Sequence, residues 1–261
     1  MHLSETNQSI DSKKRFTDRV ADYVKFRPSY PADIITFLKD NSILTDSSVV
    51  ADIGSGTGFL TKLFLDNGNK VFGVEPNKEM RLAGERFLEQ YDNFVSITGS
   101  SEETTLTDQS IDVITAGQAY HWFDVEKTAH EFKRILKQSE NNNIVLIWNT
   151  RTNKTEFNRK IERIIKKYST DYNQVSHTQD KNKEQNVFFN KTFTKINFPN
   201  YQKLTFEGLL GRLASSSYML KKTDSKFPAF EKDLKEIFIH YEVDGHVLLD
   251  YETELFYGML D

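Results

Sequence analysis

ADIGSGTGF, residues 51–59, decides the fold. It ends a short apolar run over 48–53 and opens a segment with Leu60, Leu63, Phe64 and Leu65 at helical spacing. The pattern reads as strand, glycine turn, helix. Three kinds of site use such a turn. A nucleoside-triphosphate loop needs GxxxxGK[ST], and the chain has no Gly-Lys pair followed by Ser or Thr. A dinucleotide loop needs GxGxxG, whose third glycine lets the helix pack closely on the strand. Here that position is Phe59 and the third glycine stands one place early, at Gly58, which argues against NAD and FAD.

The third kind holds S-adenosylmethionine (SAM). Asp52 favours it, because a carboxylate two residues before the first glycine repels a pyrophosphate but attracts a sulfonium and an ammonium. Gly54 and Gly56 let backbone approach the methionine portion. Glu75 closes the next apolar segment, VFGVEP, one βαβ unit further on, where an acidic side chain accepts ribose hydroxyl protons. The competing readings are a turn that needs glycine for its dihedrals alone and a solvated loop glutamate.

Outward from the turn, strands are expected over 48–53, 70–74, 94–98, 111–116 and 143–148. A helix from Pro31, one carrying Leu60, Leu63, Phe64 and Leu65 and closed by Asn67-Gly68, and helices over 77–90 and 125–136 alternate with them. Runs such as IVLIW (144–148) suit strands buried on both faces. The alternation predicts an α/β, doubly wound, mostly parallel sheet. Past 150 it gives way to an amphipathic helix over 155–168 and a polar loop over 169–186. Short strands near 192–197 and 202–206, helices near 207 and 228–241, and a last strand near 246–256 complete the chain. The whole, 1–261, reads as one domain. Its parts are a loose tail (1–12), an N-terminal helical lid (13–40) containing a short helix over 13–26 and the breaker RPSYP (27–31), and a cap insertion (150–190).

The 261 residues carry 34 Lys plus Arg against 38 Asp plus Glu, a formal charge of −4, which predicts no broad charge-driven binding of nucleic acid. With no cysteine, disulfides, thiolate metal sites and a cysteine nucleophile are excluded. The histidines show no metal spacing, so no metal is expected. No apolar run approaches a membrane span and the polar start lacks a secretory signal, so a cytoplasmic protein without membrane contact is expected. The oligomeric state is not legible.

DIGSGTG, VEPN (74–77) with Met80, GSSEE (99–103) and AYHWFD (119–124) resemble the class I SAM-dependent methyltransferases. RPSYP and HWFD are similar to a small-molecule subgroup that includes trans-aconitate methyltransferases. The resemblance implies a Rossmann-like, seven-stranded sheet with an antiparallel last hairpin and a small helical cap. It places Gly54, Ser55 and Gly56 against the methionine part of SAM with Asp52 beneath, Glu75 on the ribose, and Asn77 and Met80 beside ribose and adenine. Ser100, Ser101 and Glu102 fall where related enzymes carry an Asp for the adenine amino group. Gln118 and Ala119 flank the sulfonium.

Methyl transfer from a sulfonium to a small-molecule acceptor, a carboxylate or an aromatic, is an in-line displacement that asks mainly for alignment in a dry site, giving S-adenosylhomocysteine (SAH). A base helps only if the acceptor carries a proton. Tyr120 and His121 are the candidate catalytic residues, with loop anchoring as the alternative role for His121. Tyr23, Arg27, Tyr30, Trp122, Arg151 and Arg212 are the candidate acceptor contacts, the arginines as clamps for an anion and Trp122 otherwise as packing. A non-catalytic SAM-binding protein of the same fold is the alternative function.

Overall fold

The structure is a computed structural model and describes residues 26–138, 143–169, 193–216 and 218–259. The expected tail, most of the 13–26 helix, Tyr23 and the loop beyond residue 169 lie outside the described residues. Seven strands form one sheet: β1 (Val49–Ile53), β2 (Lys70–Val74), β3 (Phe94–Ile97), β4 (Val113–Gly117), β5 (Asn143–Arg151), β6 (Thr194–Leu204) and β7 (Val247–Gly258). Their spatial order is β3-β2-β1-β4-β5-β7-β6. The first five are parallel, and β7 runs antiparallel between β5 and β6. Strand order reverses at β1, whose neighbours are β2 and β4. Open α/β sheets bind ligands outside the carboxyl ends of the strands at such a switch point.

Helices α1 (Asp33–Asp40), α2 (Phe59–Asp66), α3 (Lys78–Phe87) and α4 (Val125–Ile135) cover the parallel part. β5 shows why its run is apolar throughout. Ile144, Leu146 and Trp148 join a core with Phe132 and Ile135 of α4, while Val145 and Ile147 join Leu38 of α1 and Phe64 of α2 on the other side. Each fully buried side chain of this size contributes about 1.5–3 kcal/mol. α3 begins one residue later than expected because Asn77 is its N-cap, its side chain accepting from the N–H groups of Glu79 and Met80.

A third core lies beside the antiparallel strands. α5 (Glu156–Tyr168), α6 (Phe206–Ala214) and α7 (Phe227–Tyr241) bring Ile161, Leu213 and Phe230 onto Val247, Leu249 and Tyr251 of β7. The two short strands expected near 192–197 and 202–206 are one strand, β6. The separating residues FPNY suggested a break, but β6 is the sheet edge and pairs only with β7, so Pro199, opposite Glu252, is tolerated there.

Candidate active site

Asp52 stands near the end of β1, in register with Gly73 of β2 and Thr115 of β4. It is 1% exposed. Thr61, on the inner face of α2, donates its hydroxyl to Oδ2 at 2.6 Å. The other oxygen, Oδ1, is buried with no hydrogen-bond partner. Burial pushes the Asp52 carboxyl up to about 7, the Thr61 bond opposes this, and the negative charge of Glu75 adds to it. A buried carboxylate in this state is expensive unless a cation meets it. The Thr57 hydroxyl, also buried in the turn, likewise lacks a hydrogen-bond partner.

The turn is held from beneath by Glu75. Its Oε2 accepts from the Gly56 N–H at 2.9 Å and its Oε1 from the Asn77 N–H at 2.7 Å, so one carboxylate ties the glycine loop to the start of α3. Gly54 has φ +71°, and a Cβ there would meet the Ala119 Cβ at 2.6 Å. Both its dihedral and its space demand glycine. Its N–H and that of Ser55 donate to the Val74 carbonyl. Met80 is buried beside Gly56, its methyl 3.4 Å from where a Gly56 Cβ would sit.

Across the cleft, β4 ends at Gly117 and Gln118 follows it. Gln118 adopts φ +58°, a left-handed conformation that costs about 1–3 kcal/mol for such a residue. Its side chain donates to the Asn149 carbonyl at 3.0 Å. The Tyr30 hydroxyl would lie 2.6 Å from a Cβ at Gly117, so Tyr30 closes directly over this strand end. Tyr120 turns inward instead. It is 1% exposed and packs edge-on against Phe123 and Trp148 in the core, away from the cleft wall. His121 is exposed and its ring tilts against Trp122, which is 53% exposed. The Glu102 carboxylate accepts from Ser101 Oγ and from the Asp124 N–H. Burial acts to raise the Glu102 carboxyl, but hydrogen bonds from Asp124, Ser100 and Ser101 together hold it below its ordinary value. Glu102 thus anchors the loop after β3 to the N-cap of α4. The Ser100 N–H is used within that loop, on the Glu103 carbonyl.

Residues 26–30 cross the same end of the sheet. Asn149 Nδ2 donates to the Ser29 carbonyl at 3.2 Å, Asn200 Nδ2 to the same carbonyl at 2.9 Å, and Gln202 Nε2 to the Phe26 carbonyl at 3.1 Å. Asn149 Oδ1 accepts in turn from Asn200 Nδ2 and Thr253 Oγ1, so β5, β6 and β7 each contribute to one polar brace. The cleft beneath is lined by Arg27, Pro28 and Tyr30 of this segment, by Asp52 and the glycine turn, by Gly117 and Gln118, and by Asn149 and Arg212.

The arginines separate into two kinds. Arg151 pairs with Glu162 at 2.8 Å, with both side chains largely buried. Arg212 is 6% exposed, yet its contacts are neutral: Nε donates to Tyr251 Oη at 2.9 Å, Nη1 to Ser216 Oγ at 3.3 Å, and its guanidinium lies 5.7 Å from the Tyr251 ring centre. Among the described residues no carboxylate reaches it within ion-pair distance. Burial acts to raise the Tyr218 phenol, but the charges of Arg151 and Arg212, with hydrogen bonds from Ser216 and Arg151, hold it below its ordinary value.

The structure therefore gathers Asp52, Gly54, Ser55, Gly56, Gln118, Arg27, Tyr30 and Arg212 on one cleft, with Ala119 against Gly54 and with Glu75, Asn77 and Met80 behind its turn. Thr57, Thr61, Asn149, Asn200, Gln202 and Tyr251 were not singled out by sequence. Thr61 had a signal: a polar residue at an inward position of an otherwise apolar helix face. Among the described residues no group of His, Cys, Asp and Glu is arranged to hold a metal ion, and no helix is long and apolar enough to cross a membrane.

Comparison with known proteins agrees with this geometry. Residues 51–139 match the family model described as a methyltransferase domain. The chain is a SAM-dependent methyltransferase. An uncharacterised methyltransferase-like protein of Schizosaccharomyces pombe is 29% identical over 234 residues, 88% of each chain. An uncharacterised methyltransferase of Mycobacterium tuberculosis is 33% identical over 155 residues, 59% of this chain and 60% of that one. In structure, a proposed type II methyltransferase from Anaeromyxobacter dehalogenans superposes with a TM-score of 0.65 at 17% identity, covering 89% of this chain and 97% of the other. A Haemonchus contortus phosphoethanolamine N-methyltransferase, solved with SAH and phosphomonomethylethanolamine, gives 0.56 at 13% identity, covering 99% of this methyltransferase and 60% of that chain. At these identities the superpositions carry the fold, the class I Rossmann-like architecture, and not the acceptor.

Proposed function

We propose that this methyltransferase modifies a small acceptor bearing an anionic group, with SAM held over the Asp52–Gly56 turn and the acceptor between that turn and Arg212. One observation carries the reading. The cleft has a buried carboxylate with an unpartnered oxygen on one side and a buried guanidinium without a carboxylate on the other. Among the described residues neither charge has a protein counterion, and each complements one reactant: a cationic cofactor and an anionic acceptor.

The residues fit the cofactor. Asp52 offers Oδ1 to a positive centre, the glycine turn leaves room for a close backbone approach, and Glu75, which already orders the Gly56 and Asn77 N–H groups, stands ready for ribose hydroxyls. Met80 offers an apolar, polarisable surface beside them. When bound, SAM supplies an electrophilic methyl group on a good neutral leaving group. The protein's task is alignment and exclusion of water. Tyr30 over Gly117 and the braced 26–30 segment narrow the cleft, and Arg27 and Arg212 orient the acceptor. An acceptor carboxylate needs no base, in keeping with Tyr120 packed in the core. The negative net charge supports a small molecule over a nucleic acid.

Incubating the protein with methyl-labelled SAM and a protein-free metabolite extract tests the reading. A labelled small anion or its methyl ester is the expected product. Label appearing only in protein or nucleic acid would reject it. Binding of SAH without any transfer would make the chain a SAM-binding protein that is not an enzyme.

A further inference from the structure

Arg212 is held by a chain of hydrogen bonds that runs in one direction. Its Nε donates to the Tyr251 hydroxyl at 2.9 Å, that hydroxyl donates to Gln202 Oε1 at 3.0 Å, and Gln202 Nε2 donates to the Phe26 carbonyl at 3.1 Å. Every hydrogen along it has one assignment. The chain starts on the arginine of α6, crosses β7 and β6, and ends on the peptide immediately before Arg27. Tyr251 and Gln202 do not line the cleft themselves.

We propose that Tyr251 and Gln202 are positioning residues that set the acceptor-facing edge of Arg212 and the 26–30 segment as one unit. The proposal rests on the reading that Arg212 receives the acceptor's anion. A guanidinium has five N–H donors and can present either its Nε–Nη2 side or its Nη1–Nη2 end to an anion. Tyr251 occupies Nε, which takes the Nε–Nη2 side out of use, so the Nη1–Nη2 end is the bidentate edge left for the cleft. The single bond from Nη1 to Ser216 leaves that nitrogen a second hydrogen. Gln202 passes the same constraint to the Phe26 carbonyl, fixing where Arg27 and Tyr30 stand relative to Arg212. Specificity then follows from the distance between two cations held by one network. An acceptor whose anionic groups match it is retained, and one that does not is lost.

The test uses the full chain, Tyr251→Phe, Gln202→Met and the double variant. Initial rates of transfer from labelled SAM are measured against serial dilutions of one metabolite extract, and SAH binding is followed by calorimetry. Tyr251→Phe keeps the ring and removes the hydroxyl. It is expected to raise the half-saturating extract concentration about tenfold, the scale of one charged hydrogen bond. The plateau rate and SAH affinity should stay within about twofold of wild type, where general structural damage would lower both. Gln202→Met should act in the same direction by about threefold. The double variant should do no worse than Tyr251→Phe, because the two side chains belong to one network. Half-saturation unchanged in both single variants, or penalties that multiply in the double variant, would overturn the proposal and leave the methyltransferase reading intact. Wild-type protein that neither transfers label nor binds SAH would instead defeat the reading on which it rests.

Discussion

Replacing Asp52 with Asn should stabilise the ligand-free protein while damaging its function. In the unfolded chain this carboxyl has its ordinary value of 3.8, whereas the fold pushes it up to about 7, chiefly by burial. The folded state therefore binds more protons than the unfolded one between those values. Stability falls as pH rises through that window, and the full penalty is present above pH 7. The difference of about three units corresponds to roughly 4 kcal/mol. Asn cannot ionise, and its Oδ1 can still accept from Thr61, but its amide then occupies the side that has no hydrogen-bond partner. That buried donor returns about 1–3 kcal/mol of the gain. A net stabilisation of about 1–3 kcal/mol at pH 8 is expected, shrinking as pH falls and turning into a net loss before pH 4 is reached. Urea unfolding of both proteins at pH 5, 6, 7 and 8 measures it. Parallel pH profiles, or an Asn variant less stable at pH 8, would refute the reasoning.

Binding should show the same carboxyl from the other side. SAM favours ionised Asp52, so wild-type affinity should rise with pH up to about 7 and then level, by at most tenfold per unit, while Asp52→Asn shows no such slope. Titration calorimetry across pH 5–8 checks this. Gly54→Ala combines a φ of +71° with a 2.6 Å approach to the Ala119 side chain. It should cost about 1–3 kcal/mol of stability and remove SAH binding, read by thermal melts with and without SAH. Arg151→Met strips Glu162 of its closest partner and should cost about 3 kcal/mol of stability with acceptor use retained in the folded fraction. Arg212→Met replaces a buried cation that no carboxylate among the described residues reaches, so its melting temperature should hold or rise while transfer to the acceptor is lost.

The parallel half of the fold was legible because each of its signals is local. β1, β4 and β5 are buried on both faces and announce themselves as apolar runs, and the glycine turn sits between β1 and α2 where its spacing placed it. Asp52 and Glu75 were legible for the same reason, since strand ends fix them. The acceptor side was not. Asn149, Asn200 and Thr253 meet only because β7 inserts between β5 and β6, an order with no local signature. Arg151 and Arg212 look alike in sequence; a glutamate eleven residues after Arg151 occupies one, and a tyrosine hydroxyl from a distant strand turns the other. The YHW turn could place either aromatic ring inside, and the structure buries Tyr120 and exposes Trp122. Pro199 interrupts a pattern but not a strand, because an edge strand can leave that position undonated.

Titrating the wild-type protein at pH 8 with SAM, and separately with NAD, bears most directly on the claim that the buried Asp52 carboxylate beneath the 54–58 turn chooses the ligand. Saturable binding of SAM that weakens at least tenfold in Asp52→Asn, with no heat from NAD, is the predicted result. NAD binding, or SAM binding indifferent to Asp52, would contradict it.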